Sequence, residues 1–225
     1  MKTQFLKYLA AGALAALAVA SHAGNISYGS NLVVNGGAEA GTASWQSYSS
    51  YSPIQAVDYG DNWVKSSQPG PVDRGAMMFT GTGAYAVGYQ MLNLGGTTTQ
   101  PLGYTLSGWL GGWLAQGDNA VFAVSFLDMD GSEIGQAYLG PVGPADRGNA
   151  TGLWYQQALG LVPVGTSSLG FWLSMERQGG GDNDGYADNL SFVLQAPAPV
   201  PEPQTLALML VGLGLLAFMQ RRRVG

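Results

Sequence analysis

Leu102-Gly-Tyr-Thr-Leu-Ser-Gly-Trp-Leu-Gly-Gly-Trp113 alternates with a period of two: Leu102, Tyr104, Leu106 and Leu110 share one side, Thr105 and Ser107 the other. That is the pattern of a half-buried strand, not of a helix. The same alternation returns on both sides of it. Ala120, Phe122, Val124 and Phe126 alternate with Asn119 and Ser125, and Leu190, Phe192 and Leu194 alternate with Asn189 and Ser191. Shorter apolar runs occupy 32–34, 54–57, 76–79, 85–91, 134–139, 153–161 and 169–173, separated by glycine-rich turns such as Asn35-Gly36-Gly37 and Gly81-Thr82-Gly83. Many short strands with such turns predict an all-β, antiparallel β-sandwich of jelly-roll type.

Two apolar ends flank this domain. Met1–Ala23 carries Lys2 and Lys7, an apolar stretch over 8–20, and Ser21-His22-Ala23 as a small-x-small cleavage site, so it reads as a secretory signal peptide. At the other end Pro201-Glu202-Pro203 precedes an apolar run, 205–219, and Arg221-Arg222-Arg223 close the chain. As a helix that run reaches about 22 Å, and the arginines can snorkel to the headgroups to make up the ~30 Å of a bilayer core. Basic clusters stay cytoplasmic, which puts the domain across the membrane. The organisation expected is therefore signal peptide 1–23, sandwich 24–196, and tail 197–225 with a transmembrane helix.

Cleavage after Ala23 removes His22, the sole histidine, and the chain has no cysteine. Ser-His-Asp and Cys-His catalysis are excluded from the mature protein, as are zinc sites of the imidazole or thiolate kind and any disulfide. Between Gly24 and Val200 there are 13 acidic and 4 basic residues, a formal charge of −9. So acidic a surface repels nucleic acid and anionic headgroups and suits neutral glycans or calcium.

The tail resembles the PEP-CTERM sorting signal of Gram-negative bacteria, through Pro201-Glu202-Pro203, the apolar run and Arg221 to Arg223 in that order. The resemblance implies an exosortase as processing partner, transient anchoring in the inner membrane, and association with extracellular polysaccharide systems.

Several residues in the domain are candidates for chemistry. Extending the last strand's alternation backward puts Asp188 on the inward face with Leu190 and Phe192, where a carboxylate needs a partner. Glu39 follows the Asn35-Gly-Gly turn, and first and last strands are often neighbours, so Glu39 and Asp188 are expected to meet around a structural calcium ion. Asn31-Leu-Val-Val-Asn-Gly-Gly-Ala-Glu39 and Tyr186-Ala-Asp-Asn-Leu-Ser-Phe-Val-Leu194 look like the two ends of galactose-binding-like jelly rolls, which include carbohydrate-binding modules. In those modules the matching Glu and Asp ligate a structural calcium beside backbone oxygens; the usual aromatic after Gly-Gly is Ala38 here. Trp109 and Trp113, about 13 Å apart in an unbroken strand and opposite the apolar face, are the candidate glycan platform, with core packing the competing role and Gly111-Gly112 a place for a bulge.

Three further features have plainer explanations. Asp128-Met-Asp-Gly-Ser132 lacks the downstream ligands of an EF-hand and reads as a hairpin turn. Gly70-Pro-Val-Asp-Arg-Gly75 returns as Gly143-Pro-Ala-Asp-Arg-Gly148, two turns whose arginines can bridge to a carboxylate or carbonyl. An enzyme built on this chain would have to be a two-carboxylate glycosidase, yet no spacing pairs Glu39, Glu133, Glu176 or the aspartates. The expectation is a non-catalytic exported protein that accompanies or binds exopolysaccharide, with a purely structural envelope protein and, behind it, a carboxylate-dependent glycoside hydrolase as the alternatives.

Overall fold

The computed structural model describes residues 22–23, 27–60 and 62–196. Most of the expected signal peptide and the whole sorting tail, including the expected transmembrane helix, lie outside the described residues. No helix among the described residues is long and apolar enough to cross a membrane.

The strands are β1 (His22–Ala23), β2 (Gln46–Ser47), β3 (Ile54–Asp58), β4 (Met77–Gly81), β5 (Tyr85–Asn93), β6 (Leu102–Gly112), β7 (Asn119–Leu127), β8 (Glu133–Leu139), β9 (Gly152–Val162), β10 (Ser168–Glu176) and β11 (Asn183–Leu194). They form two sheets. One has six strands, in the order β1-β5-β10-β7-β8 with β2 also on β5; the other has five, in the order β3-β4-β11-β6-β9. Every pairing is antiparallel except β1 with β5. β1 falls in the segment expected to leave with the signal peptide.

The alternation found in the sequence fixes which side of each strand is dry. Leu106, Leu110, Phe192 and Leu194 from the five-stranded sheet meet Phe122, Phe126, Phe171 and Leu173 from the six-stranded one. Phe192 stacks on Tyr104 at 5.1 Å and lies 5.5 Å from Phe171, so aromatic contacts cross the interface between sheets. The run at 32–34 is not a strand. The segment ahead of it makes two isolated bridges to β11, Tyr28 with Leu194 and Asn31 with Val193, before the chain enters a turn. Asn31 replaces the missing ladder with its side chain: Oδ1 accepts from Val33 N and Phe192 N, and Nδ2 donates to Leu190 O. The two ends of the domain are thereby joined.

A second, smaller cluster lies outside the sandwich, on the far side of the five-stranded sheet. Val64 comes from the long β3–β4 connection and packs on Met78, Leu153 and Tyr186, all fully buried, with Tyr59, Trp63, Trp109 and Trp113 around them. That connection is a cover over the sheet's outer face.

Candidate functional site

The turn at 35–39 decides where the first candidate carboxylates go. Asn35 and Ala38 adopt left-handed φ values of 52° and 60°, and Gly36 lies so close to β11 that a Cβ would come 2.1 Å from Leu190 O. Only glycine allows that approach, and it lets Leu190 N donate to Gly36 O at 3.0 Å. Opposite the turn, β11 carries an irregularity between Asp188 and Ser191, with Asn189 at φ 47°. The bulge corrects the expected position of Asp188. Ala187 and Leu190 both face the core, and Asp188 opposes Trp109 on the outer face, beneath the cover. An extra residue in a strand reverses the parity beyond it, so extrapolation from Leu190 through the bulge gives the wrong side.

Asp188 is fully buried there. Its Oδ2 accepts from the Tyr59 hydroxyl at 2.6 Å and its Oδ1 from Asn189 N at 2.7 Å. Burial pushes its pKa up to about 7; the two hydrogen bonds oppose that shift, while the charges of Glu39 and Asp73 add to it. The Tyr59 phenol is itself driven far up, first by burial and then by Asp188. Glu39 accepts from Ala76 N and Met77 N, each at 3.0 Å, and Asp73 accepts from Asn189 Nδ2 at 3.0 Å. The fold thus gathers Glu39, Asp73 and Asp188 as neighbours. The nearest guanidinium, Arg74, lies 5.1 Å over the Tyr59 ring and donates to the carbonyls of Lys65, Gln68 and Pro71. All-oxygen donors with surplus negative charge suit a hard cation. Among the described residues no three acidic side chains converge closely enough to hold a metal alone, so backbone oxygens or water would complete the shell.

Trp109 and Trp113 keep the same side, as an unbroken strand requires, because β6 stays in register with β9 through Gly111 and Gly112. Both are half-buried against the small outer cluster. Trp109 also lies 5.8 Å from Tyr155, ring to ring.

The outer face of the six-stranded sheet differs. Tyr89, Trp172, Ala123 and Tyr138 stand in one row across β5, β10, β7 and β8. Their neighbours along each strand, Phe122, Phe171 and Leu173 among them, fill the core, so this row points outward. Trp172 stacks on Tyr89 at 5.2 Å with Tyr48 edge-on at 6.3 Å, and Tyr138 is 52% exposed. Ala123 lies between Trp172 and Tyr138 as a small floor; it and Tyr89 are buried, so Trp172 and Tyr138 are the members of the row that reach the surface. Two strand spacings, about 9.6 Å, separate the aromatic flanks. The flanking row brings Met91, Gly170, Ser125 and Gln136, and Gly170 leaves room for the indole: a Cβ there would meet Trp172 Nε1 at 3.0 Å. The sequence carried a signal for this site in the Ser168–Glu176 alternation, but Trp172 could be assigned an outward side only with the partner strands known.

The repeated Gly-Pro-x-Asp-Arg-Gly turns do one job twice. Arg74 donates to three carbonyls, and buried Arg147 does likewise, to Leu114, Gln116 and Ala150. Both serve as loop clamps, a use for which the guanidinium fork is suited. Beside Arg147, buried Asp118 accepts from the amides of Gln178, Gly179 and Asp184, and Tyr186 donates to Asp184 at 2.7 Å. The Asp128–Ser132 segment is a hairpin turn whose Asp128 Oδ1 accepts from Asp130 N and Ser132 N.

The two-sheet architecture is similar to that of several solved structures. A Family 16 Carbohydrate Binding Module-2 is 22% identical over 72% of this chain and 99% of its own, with a TM-score of 0.47. The CBM22-1 xylan-binding domain of Xyn10C from Paenibacillus barcinonensis is 16% identical over 77% and 99%, with a TM-score of 0.43. The enzymatically active domain of tailspike protein 4 of bacteriophage CBA120 reaches a TM-score of 0.50 at 11% identity, over 73% of this chain and 21% of that one. At these identities the likeness is one of fold. No curated protein matches the chain in sequence. Residues 199–223 match the PEP-CTERM protein-sorting motif. The chain is therefore an exported protein that carries an exosortase sorting signal.

Proposed function

We propose that the protein is a non-catalytic component of the cell surface or extracellular matrix that binds extracellular polysaccharide through the outer face of the six-stranded sheet. It is released from transient inner-membrane anchorage by exosortase. The supporting observation is the row Tyr89–Trp172–Ala123–Tyr138: Trp172 and Tyr138 reach the surface as two aromatic flanks over buried Ala123, with exposed Gln136 alongside. Sugar rings stack their C–H faces on such flanks while amides and hydroxyls meet the hydroxyl groups. In this proposal Trp109 and Trp113 are packing residues beneath the cover.

Geometry also favours binding over hydrolysis on this face. Among the described residues, the carboxylates on its strands are Glu176, level with Asn119 of β7, and Glu133, level with Leu127. Eight residues of β7 separate those levels, about 27 Å, whereas the two carboxylates of a glycosidase stand ~5–10 Å apart.

The test is binding of the full chain to a panel of polysaccharides that includes the host's own. Trp172→Ala together with Tyr138→Ala should lose the binding, and retention of full affinity in that double variant refutes the site. Affinity for none of them refutes the function. We further propose a structural calcium ion at Glu39 and Asp188. Melting should occur at higher temperature in Ca²⁺ than in EDTA, and the difference should vanish in Asp188→Ala. Identical melting in the two media removes the ion.

A further inference from the structure

β9 is an edge strand of a kind that monomers normally avoid. It runs for eleven residues, pairs on one side only, with β6, and contains no charge and no proline. Edge strands are usually short, charged, covered or interrupted by proline, because their free N–H and C=O groups are a template for another strand. The other edges are short, charged or covered, and β5 carries β1, β2 and the bridge from Ser52 along its outer side. β3 is five residues long, is preceded by Pro53 and ends in Asp58; β8 is seven long and starts with Glu133. β9 instead displays Leu159 at 69% exposure and Leu161 at 64%.

The free backbone groups can be located. Leu153 N donates away from β6, to Pro69 O, so the odd-numbered residues direct their amides and carbonyls toward the open edge. Tyr155 O is already taken, by Gln156 Nε2 at 2.9 Å, and residue 163 is a proline with no N–H to offer. Gln157, Leu159 and Leu161 remain, three successive outward positions closed at both ends.

We infer that β9 pairs with β9 of a second copy of this chain, antiparallel about a two-fold axis at Leu159. Leu159 then opposes its own copy and Gln157 opposes Leu161, with six main-chain hydrogen bonds exchanged. The two five-stranded sheets become one sheet of ten. A second copy is the occupant that charge selects. A domain with 13 acidic and 4 basic residues repels itself over most of its surface, so the long uncharged edge is where two copies can approach. The contact is isologous and closes on itself, giving a dimer and not a fibre. It leaves the outer face of the six-stranded sheet untouched, so it stands or falls separately from polysaccharide binding.

The chain has no cysteine, which makes a single introduced one diagnostic. Full-length Leu159→Cys, solubilised in mild detergent and oxidised, should give a disulfide-linked dimer, since directly opposed Cα atoms in such a pair lie about 5.5 Å apart. Val72→Cys, fully exposed on the cover, is the control. In sedimentation up to about 200 µM, the unmodified protein should dimerise. Leu159→Lys, which sets like charges opposite each other at an exposed position, should be monomeric with an unchanged circular dichroism spectrum. A monomer at every concentration overturns the inference. So does a dimer that persists in Leu159→Lys while Leu159→Cys cross-links no more than Val72→Cys, which assigns association to another surface or to the tail.

Discussion

The two outer faces of the sandwich use the same residue types to different ends. Tyrosine, tryptophan and methionine line both. On the five-stranded sheet, Met78 and Tyr186 are fully buried and Trp109 is half-buried, because Tyr59, Trp63 and Val64 of the β3–β4 connection pack over them, the connection being clamped by Arg74. On the six-stranded sheet, Tyr138 is exposed and Trp172 half-exposed beside buried Tyr89, and among the described residues the short segment around Tyr48 leans on them. An aromatic residue on a strand is therefore a platform or a packing element according to what the next loop does. In this fold one connection, residues 59–76, makes that difference, where a hairpin loop takes about two to five residues.

The largest effect expected is on stability, and it should be one-sided. Tyr186→Ala removes a fully buried ring and strands the Asp184 carboxylate that accepts from its hydroxyl, a loss of about 3–5 kcal/mol. Trp172→Ala on the open face should cost about 1 kcal/mol or less. Chemical denaturation of the two variants measures the contrast, and equal losses would erase the distinction between a covered and an open face.

Ligand affinity should show the reverse. Trp172→Ala should weaken polysaccharide binding by about tenfold or more, the scale of a central aromatic contact. Trp109→Ala should leave affinity unchanged while lowering the melting temperature. Titration calorimetry on both proteins decides it, and a Trp109 variant that melts normally but fails to bind would move the site to the other sheet.

How far each face could be read from the chain follows from the same contrast. The strands were legible because alternation is local: Leu102 to Leu110, Ala120 to Phe126 and Leu190 to Leu194 all bury the residues their parity names. The sorting tail was legible because its three parts are contiguous. Two things were not. The parity of Asp188 broke at a bulge set by Asn189 and by the close approach of Gly36, neither of which marks its position in sequence. The aromatic row on the open sheet joins residues 89, 123, 138 and 172, and such a set exists only once register is known. The two ends of the domain do meet, which brings Glu39 near Asp188, but outside the core and not within it.

The smallest of these effects is the most specific, because it isolates one carboxylate beneath the cover. In EDTA, folded Asp188 takes up its proton near pH 7, whereas an unfolded aspartate does so near 3.8. Between those values the folded state binds more protons than the unfolded one, so stability must fall as pH rises from about 4 to 7 and level off above. Asp188→Asn keeps an oxygen that can accept from the Tyr59 hydroxyl but carries no charge. Relative to it, the wild type should lose melting temperature on going from pH 4 to pH 8, and the variant should be the more stable protein at pH 8. Buried Asp184, whose pKa is also raised by burial, contributes with the same sign in both proteins and cancels in the difference. Saturating Ca²⁺ should invert the trend, since a cation binds the ionised carboxylate and holds the folded state most strongly where Asp188 is charged. Parallel curves for wild type and variant in EDTA would mean that the charge beneath the cover is already neutralised by a partner within the fold, and the case for an ion there would end with it.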